Sequence, residues 1–206
     1  MWGHNYRARS RKTSGSKGTT VTTFKVGSNA MSAPAATWET DIVRSKPARI
    51  TLGLLRIVIG WYFLWAFIDK IFGFGFLTAP GKGMIDGGHP AQGFMTHATG
   101  PFAGFFNSIS GPWADYVFMF GLLAIGVSLI TGCGLKITAI AAALLLALMY
   151  LAEFPLGADA GTYTNPLFDD HWVMALAAIA FWFTRAGDTF GLGHWWGGKV
   201  GDSWLR

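Results

Sequence analysis

Four apolar segments, each about the length of a membrane-spanning helix, constrain the fold of this chain more than any other feature. They cover residues 50–73, 114–132, 135–154 and 171–185. A hydrocarbon core about 30 Å thick requires ~20 helical residues at a rise of ~1.5 Å each. The first three segments meet this length, and the shorter fourth has Trp172 and Trp182 as interfacial anchors. The sequence therefore predicts an all-α integral membrane protein, a four-helix transmembrane bundle.

Basic residues are distributed unequally among the loops that join these segments. Thirteen of the 16 Lys and Arg residues precede the first segment, lie at the turn between the second and third, or lie at or after the last residue of the fourth. The other two loops contain only Lys82. Because basic residues concentrate in cytoplasmic loops, we expect cytoplasmic termini and an outer location for residues 77–112 and 156–169. The basic residues behind the net charge of +5 lie mostly in these predicted cytoplasmic segments. The expected partner is therefore the lipid bilayer and not nucleic acid.

Polar segments flank the predicted membrane domain, residues 49–187. Residues 1–48 are rich in Ser, Thr, Gly and basic residues without an apolar period, which predicts a disordered cytoplasmic tail. Residues 188–206 form a second cytoplasmic tail, rich in Trp and Gly. Between the first two spans, residues 101–109 are apolar but too short to cross a membrane. We expect this part to be an outer interfacial or re-entrant helical segment.

Ionisable residues collect at the predicted outer ends of the spans. Asp69 and Lys70 end the first span, Glu153 ends the third, and His171 opens the fourth. Ionisable groups at span ends are typical of proton or ligand paths. Together with Arg56, these residues form a candidate polar pocket. Flat walls for a quinone ring are available from three aromatic residues, Trp61, Trp65 and Tyr150.

Simpler roles for some of these residues stay open at this stage. Arg56 lies about 9 Å inside the first span, where its side chain either extends to the interface or makes an interior contact. Aromatic stripes in membrane helices also serve packing alone. The histidines and carboxylates of the outer loops lack the spacing of metal ligands, so we predict no metal site. The lone Cys133 excludes an internal disulfide and a CxxC redox motif.

The order of small and charged residues along the spans resembles the DoxX/DoxD family of membrane proteins. In that family an Arg, a Gly four residues later and a Lys near the outer end recur in the first helix, as Arg56, Gly60 and Lys70 do here. The segment from Gly121 to Gly132 resembles the second helix, and residues 186–193 resemble the small-residue ending. The resemblance covers roughly residues 50–195. Where the family often begins its second helix with an acidic residue, this chain has Asp115.

This resemblance implies a four-helix bundle in the bacterial inner membrane. Some members of the family resemble the membrane subunit of a thiosulfate:quinone oxidoreductase, and others belong to thiol-linked or oxidative-stress complexes. Our leading hypothesis is therefore a membrane subunit of a quinone-linked oxidoreductase, with quinone as the expected ligand. Its redox chemistry would come from a partner subunit, and a homo-oligomer is the other expected assembly. The alternatives are a non-catalytic anchor or assembly subunit, and a conduit for protons or small solutes.

Overall fold

The computed structural model describes residues 37–98, 100–154 and 167–206, which belong to the second of two compact units, residues 33–206. Over these ranges the chain is helical and contains no strand. Two short 3-10 turns, Met84–Asp86 and Gly100–Phe102, lie on either side of the helix Pro90–Thr96. The helices are α1 (Glu39–Ile42), α2 (Lys46–Phe72), α3 (Pro90–Thr96), α4 (Ala103–Ile109), α5 (Pro112–Thr131), α6 (Leu135–Ala152), α7 (Asp170–Thr184) and α8 (Gly193–Val200).

Three of the helices, α2, α5 and α6, are long and apolar enough to cross a membrane. The fourth predicted span corresponds to α7, an apolar helix of 15 residues. At ~1.5 Å per residue α7 is about 22 Å long, shorter than a hydrocarbon core of ~30 Å. Large apolar side chains such as Val58, Phe120 and Leu144 are more than half exposed on the long helices. This surface indicates a lipid bilayer environment.

Glycines and a hydroxyl cap set the ends of the long helices. The Ser45 hydroxyl accepts the Ala48 N–H at the start of α2. At the other end, Gly73 takes a left-handed conformation with φ 66° that terminates the helix. The turn from α5 to α6 uses Gly132 and Gly134 at φ 77° and 69°, which gives the tight antiparallel hairpin that the sequence predicts.

The helices pack as two pairs, α2 with α5 and α6 with α7, and the pairs join mainly through α5 and α6. Close approach within the first pair depends on two glycines. A methyl group at Gly60 would lie 2.9 Å from the Ile130 nitrogen, and one at Gly126 would lie 2.8 Å from the Leu64 nitrogen. Small residues allow such backbone contact between membrane helices, where lipid provides no hydrophobic drive for association.

Part of the segment predicted to be disordered is ordered. Residues 37–42 pack on the C-terminal part of the chain, and Glu39 is only 1% exposed. Both the backbone N–H and the hydroxyl of Thr37 donate to the Asp202 carboxylate, at 3.1 and 2.9 Å. Helix α2 then starts at Lys46, before the predicted boundary at residue 49. These partners lie about 150 residues away in sequence, so local composition gave no sign of them; residues 1–36 lie outside the described residues.

The connection between α2 and α5 contains the short helices α3 and α4, and α4 overlaps the helical segment predicted for residues 101–109. Asp115, in the first turn of α5, holds the start of α3. Its carboxylate, 2% exposed, accepts the N–H groups of Ala91 and Gln92 at 2.8 and 3.0 Å. His89 Nδ1 lies 2.9 Å from the same carboxylate. The connection is therefore fixed to the bundle at this point.

Replacing Gly126 by Ala should weaken the α2–α5 contact. The added methyl group pushes against the α2 backbone, and overpacking of this kind costs roughly 1–3 kcal/mol. Gly121→Ala is the matched control on α5, because the nearest atom to its new methyl group would be Leu145 Cδ2 at 3.8 Å. Thermal unfolding in mild detergent should show a lower Tm for Gly126→Ala and an unchanged or higher Tm for Gly121→Ala. Equal melting of the two variants would contradict the close contact.

Candidate functional site

A cavity of about 250 Å³ lies among α2, α5, α6 and α7, and we call it the Lys70 cavity. Its polar lining comes from the last turn of α2, the residue after α6 and the first turn of α7: Lys70, Glu153, Asp170 and His171. The deeper walls are apolar and include Phe63, Leu122, Leu146 and Met174. The cavity thus has ionisable groups at one end and hydrocarbon walls further into the bundle.

Three of the five predicted pocket residues, Lys70, Glu153 and His171, line this one cavity. Lys70 is partly buried and Glu153 is exposed. Among the described residues neither takes part in an ion pair. Although Glu153 is exposed, partial loss of solvent around its carboxylate raises its pKa, His171 lowers it, and the carboxylates of Asp169 and Asp170 raise it again, with a net upward shift. Two chargeable groups of opposite sign thus line the cavity without forming an ion pair with each other.

His171 is held in a fixed orientation by the residue that caps α7. The Asp169 carboxylate accepts the His171 backbone N–H at 3.1 Å, which caps the helix, and its other oxygen lies 2.8 Å from His171 Nδ1. The His171 side chain is 10% exposed. A carboxylate on Nδ1 favours the tautomer with the proton there and orients the ring, leaving Nε2 as the acceptor. Asp169 therefore fixes both the start of α7 and the orientation of the His171 ring.

The same residues also contain the one group of three potential metal ligands in the described part of the chain. Ligand atoms of Asp169, Asp170 and His171 lie within 4.8 Å of one another. The capping of α7 by Asp169, and its bond to His171, account for this grouping without an ion.

Asp69, although adjacent to Lys70, faces away from the cavity and is 1% exposed. Its carboxylate accepts four backbone N–H groups from residues 74–78, the shortest at 2.8 Å from Thr78. These bonds satisfy the buried charge and fix the chain directly after α2. The structure thus gives Asp69 a role in holding the loop whose Leu77 borders the cavity.

The three predicted aromatic wall residues do not line the Lys70 cavity. Trp61 is 53% exposed, and Trp65 packs against Phe74 and Phe76 of the following loop, with ring centroids 6.2 and 5.1 Å apart. Tyr150 donates its hydroxyl to the Leu167 carbonyl at 2.6 Å. Aromatic character in the cavity comes instead from Tyr62, Phe63 and Phe118.

Arg56 lies 14 residues before Lys70, about 21 Å away along α2, and contributes to a different site. Its guanidinium is completely buried, with 0% exposure, and does not extend to the interface. It donates to five backbone carbonyls at the end of α5 and after α7: Leu129, Ile130, Ala186, Thr189 and Phe190. A fork of five N–H donors suits this arrangement, because helix C-termini leave their last carbonyls unpaired. Arg56 therefore joins α2, the end of α5 and the segment after α7.

Residues 188–206, predicted as a Trp- and Gly-rich tail, contact the helices at the turn from α5 to α6. The Leu192 N–H donates to the Thr131 carbonyl at 2.7 Å, and the Lys136 N–H donates to the Arg206 carbonyl at 3.4 Å. Arg206 bonds to Asp188 and Asp202, at 3.3 and 3.2 Å, and Trp38 stacks on His194 with centroids 4.0 Å apart. One oxygen of buried Glu39 accepts the Thr189 hydroxyl, and the other has no hydrogen-bond partner among the described residues. Only the density of charged and aromatic residues over 185–206 hinted at this cluster in the sequence.

Comparison of the chain with family models, with curated proteins and with solved structures finds no match.

Arg56→Lys should destabilise the protein strongly. Lysine keeps the positive charge but has three donors on a single nitrogen, so buried carbonyls lose their partners. Disrupting a buried charge that is fully hydrogen-bonded typically costs about 3–5 kcal/mol. Arg44→Lys is the control, since Arg44 is exposed and its replacement should change stability by no more than ~0.5 kcal/mol. A Tm for Arg56→Lys within a degree or two of wild type would contradict the carbonyl contacts.

Glu39→Gln should change how stability depends on pH. Burial raises the pKa of Glu39 above its ordinary value of 4.5, the Thr189 hydroxyl opposes this, and Asp188 adds to it. A carboxyl whose folded-state pKa is raised stabilises the fold below the unfolded pKa, and this stability is lost as pH rises through the folded pKa. Glutamine mimics the protonated form, so Glu39→Gln should melt higher than wild type at pH 8 and equally near pH 4.5. Parallel Tm-against-pH curves would contradict this, and exposed Asp86 changed to Asn serves as the control.

Proposed function

We propose that the chain is a four-helix integral membrane protein and that α7 is its fourth span. Helix α7 packs along α6 and exposes Val173, Leu176 and Phe183, each at least 60% accessible. Such a surface is stable in contact with lipid. Following the distribution of basic residues, the end of the bundle with Arg56 faces the cytoplasm, with both termini, and the end with Lys70 faces outward. The bacterial inner membrane is the proposed location.

Within this bundle, the chain acts as the membrane subunit of a quinone-linked oxidoreductase complex, as its resemblance to the DoxX/DoxD family implies. A partner subunit supplies the electrons. The observation that carries the proposal is the Lys70 cavity, which combines apolar walls with Lys70, Glu153 and His171 at one end. Its volume of about 250 Å³ lies just below the ~300–1,000 Å³ typical of ligand pockets, which favours a single substituted ring as the ligand.

The polar residues suit the chemistry of a quinone carbonyl. Full reduction of a quinone takes up two electrons and two protons, one proton on each carbonyl oxygen. Lys70 supplies a charge-assisted hydrogen bond to a carbonyl oxygen, which stabilises the negative charge that develops there. The raised pKa of Glu153 favours protonation of its carboxylate, which suits a group that passes a proton to the quinone. His171, oriented by Asp169, provides a second proton-exchanging group.

Quinone that remains bound through purification in mild detergent tests the proposal. Lys70→Gln should lower the bound quinone per protein by about tenfold or more, because a hydrogen bond to a charged group contributes roughly 1.5–3 kcal/mol. His171→Gln removes a proton-exchanging group and should retain quinone but slow its turnover. Lys82→Gln and His97→Gln are matched controls at exposed positions and should keep the wild-type amount. The measurement is extraction followed by chromatographic quantitation.

Activity of the native complex separates binding from proton transfer. Glu153→Gln should retain quinone but slow turnover. The control Asp86→Asn, at an exposed position, should leave both bound quinone and turnover at wild-type values. Absence of quinone from wild type, with complex activity unchanged in the Lys70 and Glu153 variants, would contradict the proposal and favour a non-catalytic anchor or assembly subunit. Proton or solute movement through the purified chain without quinone would instead favour a conduit.

A further inference from the structure

A second cavity of about 150 Å³ adjoins the Lys70 cavity at the same end of the bundle. It lies between α5 and α6, beneath α3 and α4, and we call it the α3–α4 groove. All twelve of the described residues that line it are apolar, among them Phe94 of α3, Phe106 of α4, Val117 of α5 and Leu148 of α6. This lining contrasts with the Lys70 cavity, to which Lys70, Glu153, Asp170 and His171 contribute.

The two cavities share a wall. Phe118 and Met149 line both of them, and both side chains are only partly buried. Methionine has three rotatable side-chain bonds and adapts easily to a neighbouring group. The wall is therefore thin and movable, and a polar chamber is followed directly by an apolar one.

The roof over the groove is fixed in place. The Asp115 carboxylate binds the N–H groups of Ala91 and Gln92 at the start of α3, and Phe106 of α4 is 4% exposed. Because these contacts hold α3 and α4 against the bundle, the groove is largely preformed. A preformed apolar groove binds a chain without an additional cost of ordering the protein.

We propose that the α3–α4 groove binds the hydrocarbon tail of an amphiphilic ligand whose ring occupies the Lys70 cavity. The inference rests on the proposed function and specifies its substrate class, a lipid-soluble quinone with a tail. Polar groups at one chamber and hydrocarbon walls at the next match the two parts of such a molecule. Val117 and Leu148, 62% and 39% exposed on the lipid-facing side of the groove, give the tail a route to the bilayer.

A competing groove lies between α6 and α7, with a volume of about 370 Å³. It meets the Lys70 cavity only at Leu146 and His171, which are 2% and 9% exposed. His171 is also held by Asp169. This wall is closed by buried, fixed side chains, so the passage past Phe118 and Met149 is the favoured one.

Protection of single cysteines from N-ethylmaleimide tests where the tail lies. In a Cys133→Ser background, one cysteine is introduced in each of four variants: Ala66→Cys in the Lys70 cavity, Val117→Cys in the α3–α4 groove, Ala147→Cys in the α6–α7 groove, and Val127→Cys as control. Val127 is an exposed valine on the same helix as Val117, about 15 Å further along. The probes are decylubiquinone, which has a tail, and duroquinone, a fully substituted ring without one.

We expect both probes to slow labelling of Ala66→Cys, and only decylubiquinone to slow labelling of Val117→Cys. At a concentration about ten times Kd the effect should be roughly tenfold. Val127→Cys and Ala147→Cys should react at unchanged rates. If Val117→Cys does not fold, Leu148→Cys replaces it, because Leu148 lines the same groove.

Protection of Ala66→Cys without protection of the groove cysteine would overturn the tail site and leave the proposed function standing. Tail-dependent protection of Ala147→Cys would likewise overturn it, in favour of the α6–α7 groove. No protection of Ala66→Cys by either probe would overturn both the tail site and the proposed function.

Discussion

The hydrogen bonds of Arg56 to five backbone carbonyls are the contacts on which the rest of the bundle depends. Leu129 and Ile130 lie in the last turn of α5, where carbonyls lack helical partners, and the other three carbonyls follow the end of α7. A buried charge is costly unless hydrogen bonds surround it. Here the charge and the carbonyls satisfy one another, so α2, α5 and the segment after α7 are held in a fixed relation. That relation sets the spacing of the helices that enclose the Lys70 cavity.

Helix length, the end-to-end order of the spans and the grouping of three polar residues could all be predicted from the sequence. A span of about 20 apolar residues has few alternatives to a helix in lipid, because its backbone must bond internally. Lys70, Glu153 and His171 meet because antiparallel helices return their ends to the same side. Such a prediction needs only the positions of the residues relative to the ends of the helices.

The contacts of individual side chains could not be predicted in this way. Asp69 and Lys70 are neighbours in sequence, yet Asp69 binds the N–H groups of its own loop and Lys70 faces the cavity. The path of the backbone after α2 determines which partner each of these two side chains meets. The apolar periodicity of the sequence does not specify that path. Trp61 and Trp65 are flat aromatic residues of the type that a ring-binding wall requires, but the loop after α2 packs against Trp65. Glu39 is buried by partners about 150 residues away, beyond the reach of any local pattern.

The central claim is that a planar ring binds in the Lys70 cavity, between its polar end and its apolar walls. Photolysis of the detergent-purified protein with an azido-substituted quinone, followed by mass-spectrometric mapping of the adducts, tests it most directly. We expect adducts on cavity residues of α2 and α6, such as Ala66 and Met149, that excess decylubiquinone suppresses. Adducts confined to the exposed faces of the helices, or insensitive to decylubiquinone, would contradict it.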